Sequence, residues 1–217
     1  MISETPLTRI VNFEQLQESK LPSATRLSRM IDLGGEKPNI PEYVLKKAGE
    51  RGTKVHEYIH KYFENISRAN QGLPEVENLV PFDESTYIDA FDMFANAEGL
   101  LTDKKYFGSE VAMISEDFKI KGIIDAMFVV DDDVYVYDWK TSGSFQEYPY
   151  TTQMQVYMTI IKAYFLENFG KKVNIHGSVV QLKKNGKYKV FPIEQNTRLI
   201  IDMANVFDRL GKYLRKQ

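Results

Sequence analysis

The stretch "KGIIDAMFVVDDDVYVYDWKTSG", from Lys121 to Gly143, contains two β-rich runs on either side of an acidic turn. Runs of β-branched and aromatic residues bounded by turn residues are typical of strands, so this stretch predicts a β-hairpin. Each run also carries an acid among apolar neighbours, Asp125 in the first run and Asp138 in the second. Because strands normally place Val or Ile at such positions, the two acids need an electrostatic or a functional explanation.

Side-chain alternation along the second strand places Asp138 and Lys140 on one face and Trp139 on the other. Hairpin pairing brings Asp125 within reach of Asp138. Two neighbouring carboxylates repel each other and raise each other's pKa unless a cation lies between them. A divalent ion such as Mg²⁺ or Mn²⁺ removes that repulsion, and Lys140 beside it could stabilise charge during phosphodiester hydrolysis. The alternative is a structural ion pair between Asp125 and Lys140, with Asp138 at the strand end.

Hydrophobic periodicity predicts the elements around this hairpin. The predicted helices cover residues 42–66, 84–97, 149–169 and 197–216. The predicted strands cover residues 105–114, 119–130, 134–140, 173–182 and 187–193. Gly52 is expected to interrupt the first helix, because glycine lowers helix stability.

The order of these elements predicts an α/β fold with a central mixed β-sheet flanked by helices, because one crossover helix joins two groups of strands. The length predicts a single domain over residues 1–217. Its core is expected at about 42–193, after an N-terminal helical segment over 1–41. Ser23 or Thr25 is expected to be the N-cap of a short helix in that segment.

Composition excludes several classes of protein. Hydrophobic residues make up 43% of the chain and charged residues 27%, as in globular proteins. No apolar run is long enough to span a membrane, and the N-terminus lacks the apolar segment of a signal peptide, so we expect a cytoplasmic protein without membrane association. The absence of cysteine excludes an iron–sulfur cluster. A net charge of -2 implies that any polyanionic partner is bound by a local basic surface or through metal ions.

Further polar residues occur at intervals before and after the hairpin. His56 lies in "GTKVHEYIH", Glu110 in "GSEVAM", and Gln153 and Tyr157 lie one helical turn apart in "QMQVY". Each residue also has an ordinary structural interpretation. His56 could be a core or surface histidine, Glu110 a half-exposed strand residue, and Gln153 and Tyr157 part of a helix surface. Their order along one chain is much less expected by chance than any one of them.

That order resembles the RecB-like branch of the PD-(D/E)XK nucleases, with motifs similar to those of the mitochondrial genome maintenance exonucleases and related phage and bacterial exonucleases. The segments that carry the resemblance are "GTKVH", "GSEVAM", "GIIDAMF", "VYDWKTS" and "QMQVY". The resemblance implies a restriction-endonuclease-like core. It also implies hydrolysis of DNA with one or two Mg²⁺ or Mn²⁺ ions.

The resemblance assigns roles to individual residues. It implies a metal site whose ligands are His56, Glu110, Asp125, Asp138 and the backbone carbonyl of Trp139. Glu110 is expected to help hold a second ion or its water.

The resemblance also implies residues that act on the DNA. Lys140 matches the catalytic lysine, which acts together with the acids of the metal site. Gln153 and Tyr157 match a motif that positions DNA, and Ser23 and Thr25 are expected to contact the nucleic-acid backbone.

The expected function is therefore a Mg²⁺- or Mn²⁺-dependent DNA exonuclease acting on single-stranded or free-ended DNA, in repair, recombination or replication. The sequence has no GxxxxGK[ST] loop, so ATP is not expected as a cofactor and any unwinding must come from a partner such as a helicase or recombination protein. Two alternatives stay open, a structure-specific DNA endonuclease and a non-catalytic nucleic-acid-binding module of the same fold.

Overall fold

A computed structural model describes residues 6–31, 40–78, 80–202 and 204–205 of the chain. The helices are α1 (Phe13–Glu18), α2 (Ala24–Ile31), α3 (Glu42–Asn70), α4 (Ser85–Ala97) and α5 (Glu147–Phe169). The strands are β1 (Thr8–Ile10), β2 (Lys105–Ser115), β3 (Ile120–Val130), β4 (Asp133–Lys140), β5 (Asn174–Leu182) and β6 (Tyr188–Ile193). Residues 197–202 are helical, and residues 206–216 of the predicted C-terminal helix lie outside the described residues.

The strands form one six-stranded sheet in the order β1-β2-β3-β4-β5-β6. Every neighbouring pair is antiparallel except β4 and β5, which are parallel. Parallel strands need a crossover connection, and α5 provides it. The predicted mixed sheet flanked by helices is therefore confirmed, and the helices and strands predicted from 84 to 193 end close to the observed bounds.

Two features of the fold differ from the sequence-based predictions. The helix α3 is unbroken from Glu42 to Asn70, so the predicted interruption at Gly52 was wrong. An isolated glycine costs a helix only about 1 kcal/mol relative to alanine, which packing along such a long helix offsets. The short elements β1 and α1 were not predicted, because each is only a few residues long.

A hydrophobic core lies on each face of the sheet. One core packs α2 and α5 against the sheet and includes Leu27, Met127, Val136 and Ile160. The other packs α3 and α4 against the opposite face and is rich in aromatic residues, among them Phe63, Phe91, Phe94, Phe128 and Trp139. Among the described residues, no helix has the combination of length and apolar character that a membrane crossing requires.

Candidate active site

Three acids lie in one row across the middle of the sheet. The β2–β3 register pairs Val111 with Ile124, which places Glu110 opposite Asp125. The β3–β4 register, continued by one residue, places Asp138 opposite Asp125. Directly opposed residues on neighbouring strands have Cβ atoms about 5 Å apart, so the register alone brings these carboxylates together.

The backbone is irregular where this row crosses β2 and β3. Glu110 has φ 50°, a left-handed conformation that costs a non-glycine residue about 1 kcal/mol or more. The alternation of faces also changes there, because Ile124 belongs to the core beneath α5 whereas Ala126 belongs to the core beneath α3. Such strain is concentrated at functional sites, and here it lies at a residue of the acid row.

The helix α3 contributes His56, whose side chain contacts the row of acids. Its Nε2 lies 2.8 Å from the backbone carbonyl oxygen of Trp139. Because a carbonyl only accepts hydrogen bonds, Nε2 carries the proton, and the Nδ1 of the neutral ring has a free lone pair. This Nδ1 lies 3.5 Å from Asp125 Oδ2 and 3.9 Å from Glu110 Oε1. One ligand atom from each of these three side chains lies within 4.8 Å of the other two, a spacing that could hold a metal ion.

Asp125 is tied to the end of β4 by its own hydrogen bond. The backbone N–H of Trp139 donates to Asp125 Oδ2 at 2.8 Å, and Asp125 is only 8% exposed. The two backbone polar groups of Trp139 therefore contact two side chains of the acid group, Asp125 through the amide and His56 through the carbonyl.

Buried Asp138 and partly buried Lys140 form an ion pair next to this group. Lys140 Nζ lies 2.6 Å from Asp138 Oδ2, and Asp138 is 1% exposed. Asp138 Oδ1 is buried without a hydrogen-bond partner among the described residues. The structural alternative weighed from the sequence paired Lys140 with Asp125, whereas the structure pairs it with Asp138.

Burial and mutual repulsion shift the ionisation of the row. Although the Glu110 side chain is 38% exposed, partial burial of its carboxyl raises its pKa to about 7, and the charge of Asp125 adds to the shift. Burial also raises the pKa of Asp138 to about 6, with Lys140 opposing the shift and Asp125 adding to it. Although burial lowers the pKa of Lys140, the charges of Asp138 and Asp125 outweigh that effect and raise it above its usual value. Lys140 is thus charged at neutral pH, while the raised pKa values of Glu110 and Asp138 mean that their negative charge is unfavourable without a further cation.

The helix α5 contacts Lys140 from its other side. Lys140 Nζ donates to Gln153 Oε1 at 3.2 Å, and Gln153 Nε2 donates to the Tyr157 hydroxyl at 2.6 Å. Tyr157 is 3% exposed and packs against Gly122, where an added Cβ would lie 2.8 Å from the ring. The glycine of "GIIDAMF" and the tyrosine of "QMQVY" are therefore required together, because the ring fills the space that Gly122 leaves.

Ser23 and Thr25 lie near Tyr157. The Ser23 hydroxyl accepts the Arg26 N–H at 3.1 Å, so Ser23 is the N-cap of α2. Ser23, Thr25, Gly122 and Tyr157 line a cavity of about 100 Å³. Ser23 already serves a structural purpose here, and exposed Thr25 is the freer of the two side chains.

Eight of the ten residues singled out from the sequence thus form three connected sets, and Ser23 and Thr25 line the cavity beside the last of them. The acid group contains His56, Glu110 and Asp125, and Trp139 joins it through its backbone. The ion pair contains Asp138 and Lys140. The helix α5 adds Gln153 and Tyr157.

One residue of the site was missed from the sequence. The Tyr150 ring lies 5.1 Å from Lys140 Nζ, and the Tyr150 hydroxyl donates to Ser142 Oγ at 3.0 Å. A cation over an aromatic ring is stabilised by the ring quadrupole. The available signal was the spacing of Tyr150 from Gln153, which places the two residues on one face of α5.

An open groove leads from the acid group to the surface. It has a volume of about 540 Å³ and is lined by Gly52, Thr53, His56, Glu57, His60 and Glu110. Binding sites for ligands are usually concave and contain a few convergent polar groups. A substrate in this groove would meet the His56 and Glu110 side chains directly.

Comparison with known proteins adds a family to this geometry. No curated protein matches the chain. An alkaline exonuclease from Laribacter hongkongensis has a similar structure, with a TM-score of 0.43, 12% sequence identity, and coverage of 94% of this chain and 96% of the exonuclease. The same exonuclease in complex with dAMP gives a TM-score of 0.41, 12% identity, and coverage of 93% and 94%.

A family model matches most of the sequence, over residues 26–216. The matched range includes the whole acid row, the Asp138–Lys140 pair and the α5 residues beside it. The chain belongs to the PD-(D/E)XK nuclease superfamily.

Proposed function

We propose that this protein is a metal-dependent deoxyribonuclease, and specifically an exonuclease that acts on single-stranded or free-ended DNA. One observation carries the proposal. A cluster of His56, Glu110 and Asp125, with ligand atoms within 4.8 Å of one another, lies next to an ion pair between a lysine and a buried carboxylate in a member of a nuclease superfamily. A non-catalytic module has no need for so costly an arrangement of charge.

The donor atoms suit a hard divalent cation. They are carboxylate oxygens and one imidazole nitrogen, which favour Mg²⁺ or Mn²⁺ over metals that prefer thiolate ligands. The buried Asp138 Oδ1 has no hydrogen-bond partner among the described residues, and His56 Nδ1 has a free lone pair, so both atoms are available as metal ligands. We assign His56, Glu110, Asp125 and Asp138 as ligands, with the Trp139 carbonyl available if its bond to His56 opens. When bound, one or two divalent ions supply Lewis-acid activation of water and of the scissile phosphate.

The residues around this group would position the phosphate and stabilise its charge. Lys140, held charged by Asp138, places an ammonium group where negative charge develops on the phosphate oxygens. Gln153 holds Lys140 from the opposite side, and the Tyr157 hydroxyl fixes the orientation of Gln153. Because Tyr157 is buried, its effect on DNA is proposed to act through Gln153 and not by direct contact.

The remaining assignments are part of the same proposal. We assign the chain to the RecB-like branch of its superfamily and treat it as one nuclease domain. We also propose Thr25 and Ser23 as backbone contacts of the DNA near Tyr157 and a helicase or recombination protein as a partner. A cytoplasmic site of action agrees with the cysteine-free sequence.

The direct test digests end-labelled linear single-stranded DNA beside a closed single-stranded circle, with Mg²⁺, with Mn²⁺ or with chelator. We expect the linear strand to be degraded only with metal and the circle to be spared. Rapid nicking of the circle would identify an endonuclease. Inactivity with every metal and substrate, together with intact DNA binding, would identify a non-catalytic binding module.

A further inference from the structure

Four lysines lie at the end of the sheet where β4 ends with Lys140. The turn between β5 and β6 has the sequence "KKNGKYK" and contributes Lys183, Lys184, Lys187 and Lys189, without an acid; we call this segment the basic hairpin. Among the described residues, none of the four lysines takes part in an ion pair, and Lys184, Lys187 and Lys189 are exposed. In a chain of net charge -2, this is a local concentration of uncompensated positive charge.

The sheet register connects this hairpin to the active site. Lys140 on β4 pairs with Gln181 on β5, and Gln181 pairs with Lys189 on β6. The three residues form one row and share a face of the sheet. Since neighbouring strands lie about 4.8 Å apart, the Cα atoms of Lys140 and Lys189 are separated by roughly 10 Å.

A continuous set of aromatic rings spans the distance between the two lysines. Tyr150 contacts Phe145 edge to face with ring centroids 5.6 Å apart, and Phe145 stacks on Phe191 at 3.8 Å; we call these three rings the aromatic shelf. Lys140 Nζ lies 5.1 Å from the Tyr150 ring, and Lys189 Nζ lies 4.7 Å from the Phe191 ring. The shelf therefore places one ammonium group at each end, which limits the freedom of both side chains.

We propose that Lys189, held on the aromatic shelf, binds a backbone phosphate of the DNA strand next to the one that Lys140 engages. This inference rests on the proposed nuclease function and adds a track for the flanking part of the strand. The DNA backbone has negative charges at regular intervals, which is the complement of two fixed cations with an apolar surface between them.

Neighbouring acids locate the track more closely. Glu147 and Glu194 line the groove beside the shelf, and their negative charge would repel a phosphate. Phosphates are therefore expected near Lys189, on the side of Phe191 away from that groove. At the turn of the basic hairpin, Gly186 lies beside Asp89 of α4, which offsets part of the charge there. Lys189 is thus the lysine of the hairpin best placed to bind a phosphate.

The ring of Phe191 has a supporting purpose in this arrangement. Phe145 covers it by stacking, and Lys189 lies over it, so Phe191 has little free surface for a base. Binding on this track is therefore expected to depend on phosphate charge and to be nearly the same for oligo(dT) and oligo(dA).

The test measures binding of a fluorescent single strand of about twelve nucleotides, with chelator present so that it is not cut. Lys189→Glu should weaken binding about tenfold and lower the slope of log affinity against log salt by about 0.7 or more, because a phosphate contact is lost. Lys189→Arg should keep most of the affinity. For a dinucleotide without terminal phosphates, which has a single phosphate and cannot contact both lysines, the loss should be much smaller.

Lys172→Glu is the matched control, because Lys172 is an exposed lysine just before the opposite end of β5. It should leave strand binding unchanged. Equal effects of the two charge reversals, in variants whose melting temperatures match wild type, would refute the track. Phe191→Leu should weaken binding two- to threefold, because the ring no longer holds Lys189, and wild-type affinity in this variant would refute the role of the shelf.

The two proposals fail in different ways. If the wild type cleaves DNA and Lys189→Glu leaves strand affinity unchanged, the nuclease function stands and the track is refuted. If the wild type never cleaves DNA and Lys189→Glu weakens strand binding, the track stands and the nuclease function is refuted.

Discussion

Replacing Asp125 with asparagine removes one charge from the acid row and leaves its geometry nearly intact. The new side-chain oxygen still accepts the Trp139 N–H that Asp125 Oδ2 accepts at 2.8 Å. The same oxygen lies 3.5 Å from His56 Nδ1 in the wild type, so the new amide nitrogen takes the position of Oδ1. Asp125→Asn therefore separates the charge of this residue from its hydrogen bonds.

The expected stability change of the metal-free protein follows from Asp138. Its pKa of about 6, against an ordinary value of 3.8, means that keeping it ionised above pH 7 costs folding about 3 kcal/mol. Burial causes most of this cost and the charge of Asp125 a smaller part, so removing that charge should leave the stability unchanged or raise it, and each pKa unit of relief corresponds to about 1.4 kcal/mol. For a domain of this size, 1 kcal/mol corresponds to a rise in melting temperature of about 2–4 °C.

Metal binding should change in the opposite direction. A ligand bound only by the folded state, at a concentration a hundredfold above Kd, stabilises by about 2.7 kcal/mol. For the wild type, Mn²⁺ should therefore raise the melting temperature by about 5–10 °C. Asp125→Asn should lose most of this rise, together with nuclease activity, because one of the proposed ligands has become neutral.

Thermal melts of both proteins, with chelator and with Mn²⁺, measure both effects. Asp133→Asn is the matched control, because Asp133 begins β4 at the opposite end from the site and pairs with His176. This control should keep the full Mn²⁺ shift. An Asp125→Asn protein that is less stable than wild type without metal, yet retains the full Mn²⁺ shift, would refute the metal site.

Three further predictions concern the same site. Because burial raises the pKa of Glu110 to about 7, the folded protein binds more protons than the unfolded chain between pH 4.5 and about 7, so the stability of the metal-free protein should fall as pH rises through that window. Denaturant unfolding with chelator from pH 5 to 8 measures this. Lys140→Ala should reduce turnover by orders of magnitude and destabilise the metal-free protein by about 3 kcal/mol, because it leaves Asp138 buried without its cation, while the Mn²⁺ shift persists. Gly122→Ala should cost about 1–3 kcal/mol and reduce turnover, because its Cβ would lie 2.8 Å from the Tyr157 ring.

Each of these predictions has its own control. Glu110→Gln should flatten the pH dependence, and an unchanged slope in this variant would assign the effect to other groups. For Lys140→Ala, near-normal cleavage would remove the lysine from the mechanism. Gly143→Ala introduces a methyl group at a glycine with no atom within 4 Å of the added Cβ, so it should be close to neutral and shows what Gly122→Ala does beyond the loss of glycine itself.

The helices and strands that could be predicted from the sequence are those with strong periodicity. The hairpin of β3 and β4 has alternating residues and an acidic turn, and the observed strands start within one residue of the predicted positions. The strand β1 has only three residues, Thr8–Ile10, and forms through pairing with the end of β2, a contact that no local pattern encodes. Similarly, α3 continues through Gly52 because contacts elsewhere along the helix outweigh one local propensity.

For the candidate site, the sequence predicted which residues lie close together but not their geometry. Alternation correctly places Asp138 and Lys140 together, because strand periodicity is a local property. The partner of Lys140, the left-handed backbone of Glu110 and the position of Tyr150 beneath the lysine all depend on how separate elements meet. Charge pairing of this kind is decided by small differences in distance and burial, which a sequence does not contain.

Trp139 joins two parts of the molecule that would otherwise be independent. Its indole ring stacks on Tyr137 and contacts Phe91 and Phe94 within the aromatic core, while its amide and carbonyl groups bind Asp125 and His56. A shift of the ring therefore displaces the atoms that orient two proposed ligands. Substitutions made in that core to raise thermostability would therefore also be expected to change the proposed metal site. The rings that contact Trp139 should tolerate fewer substitutions than their burial alone would require.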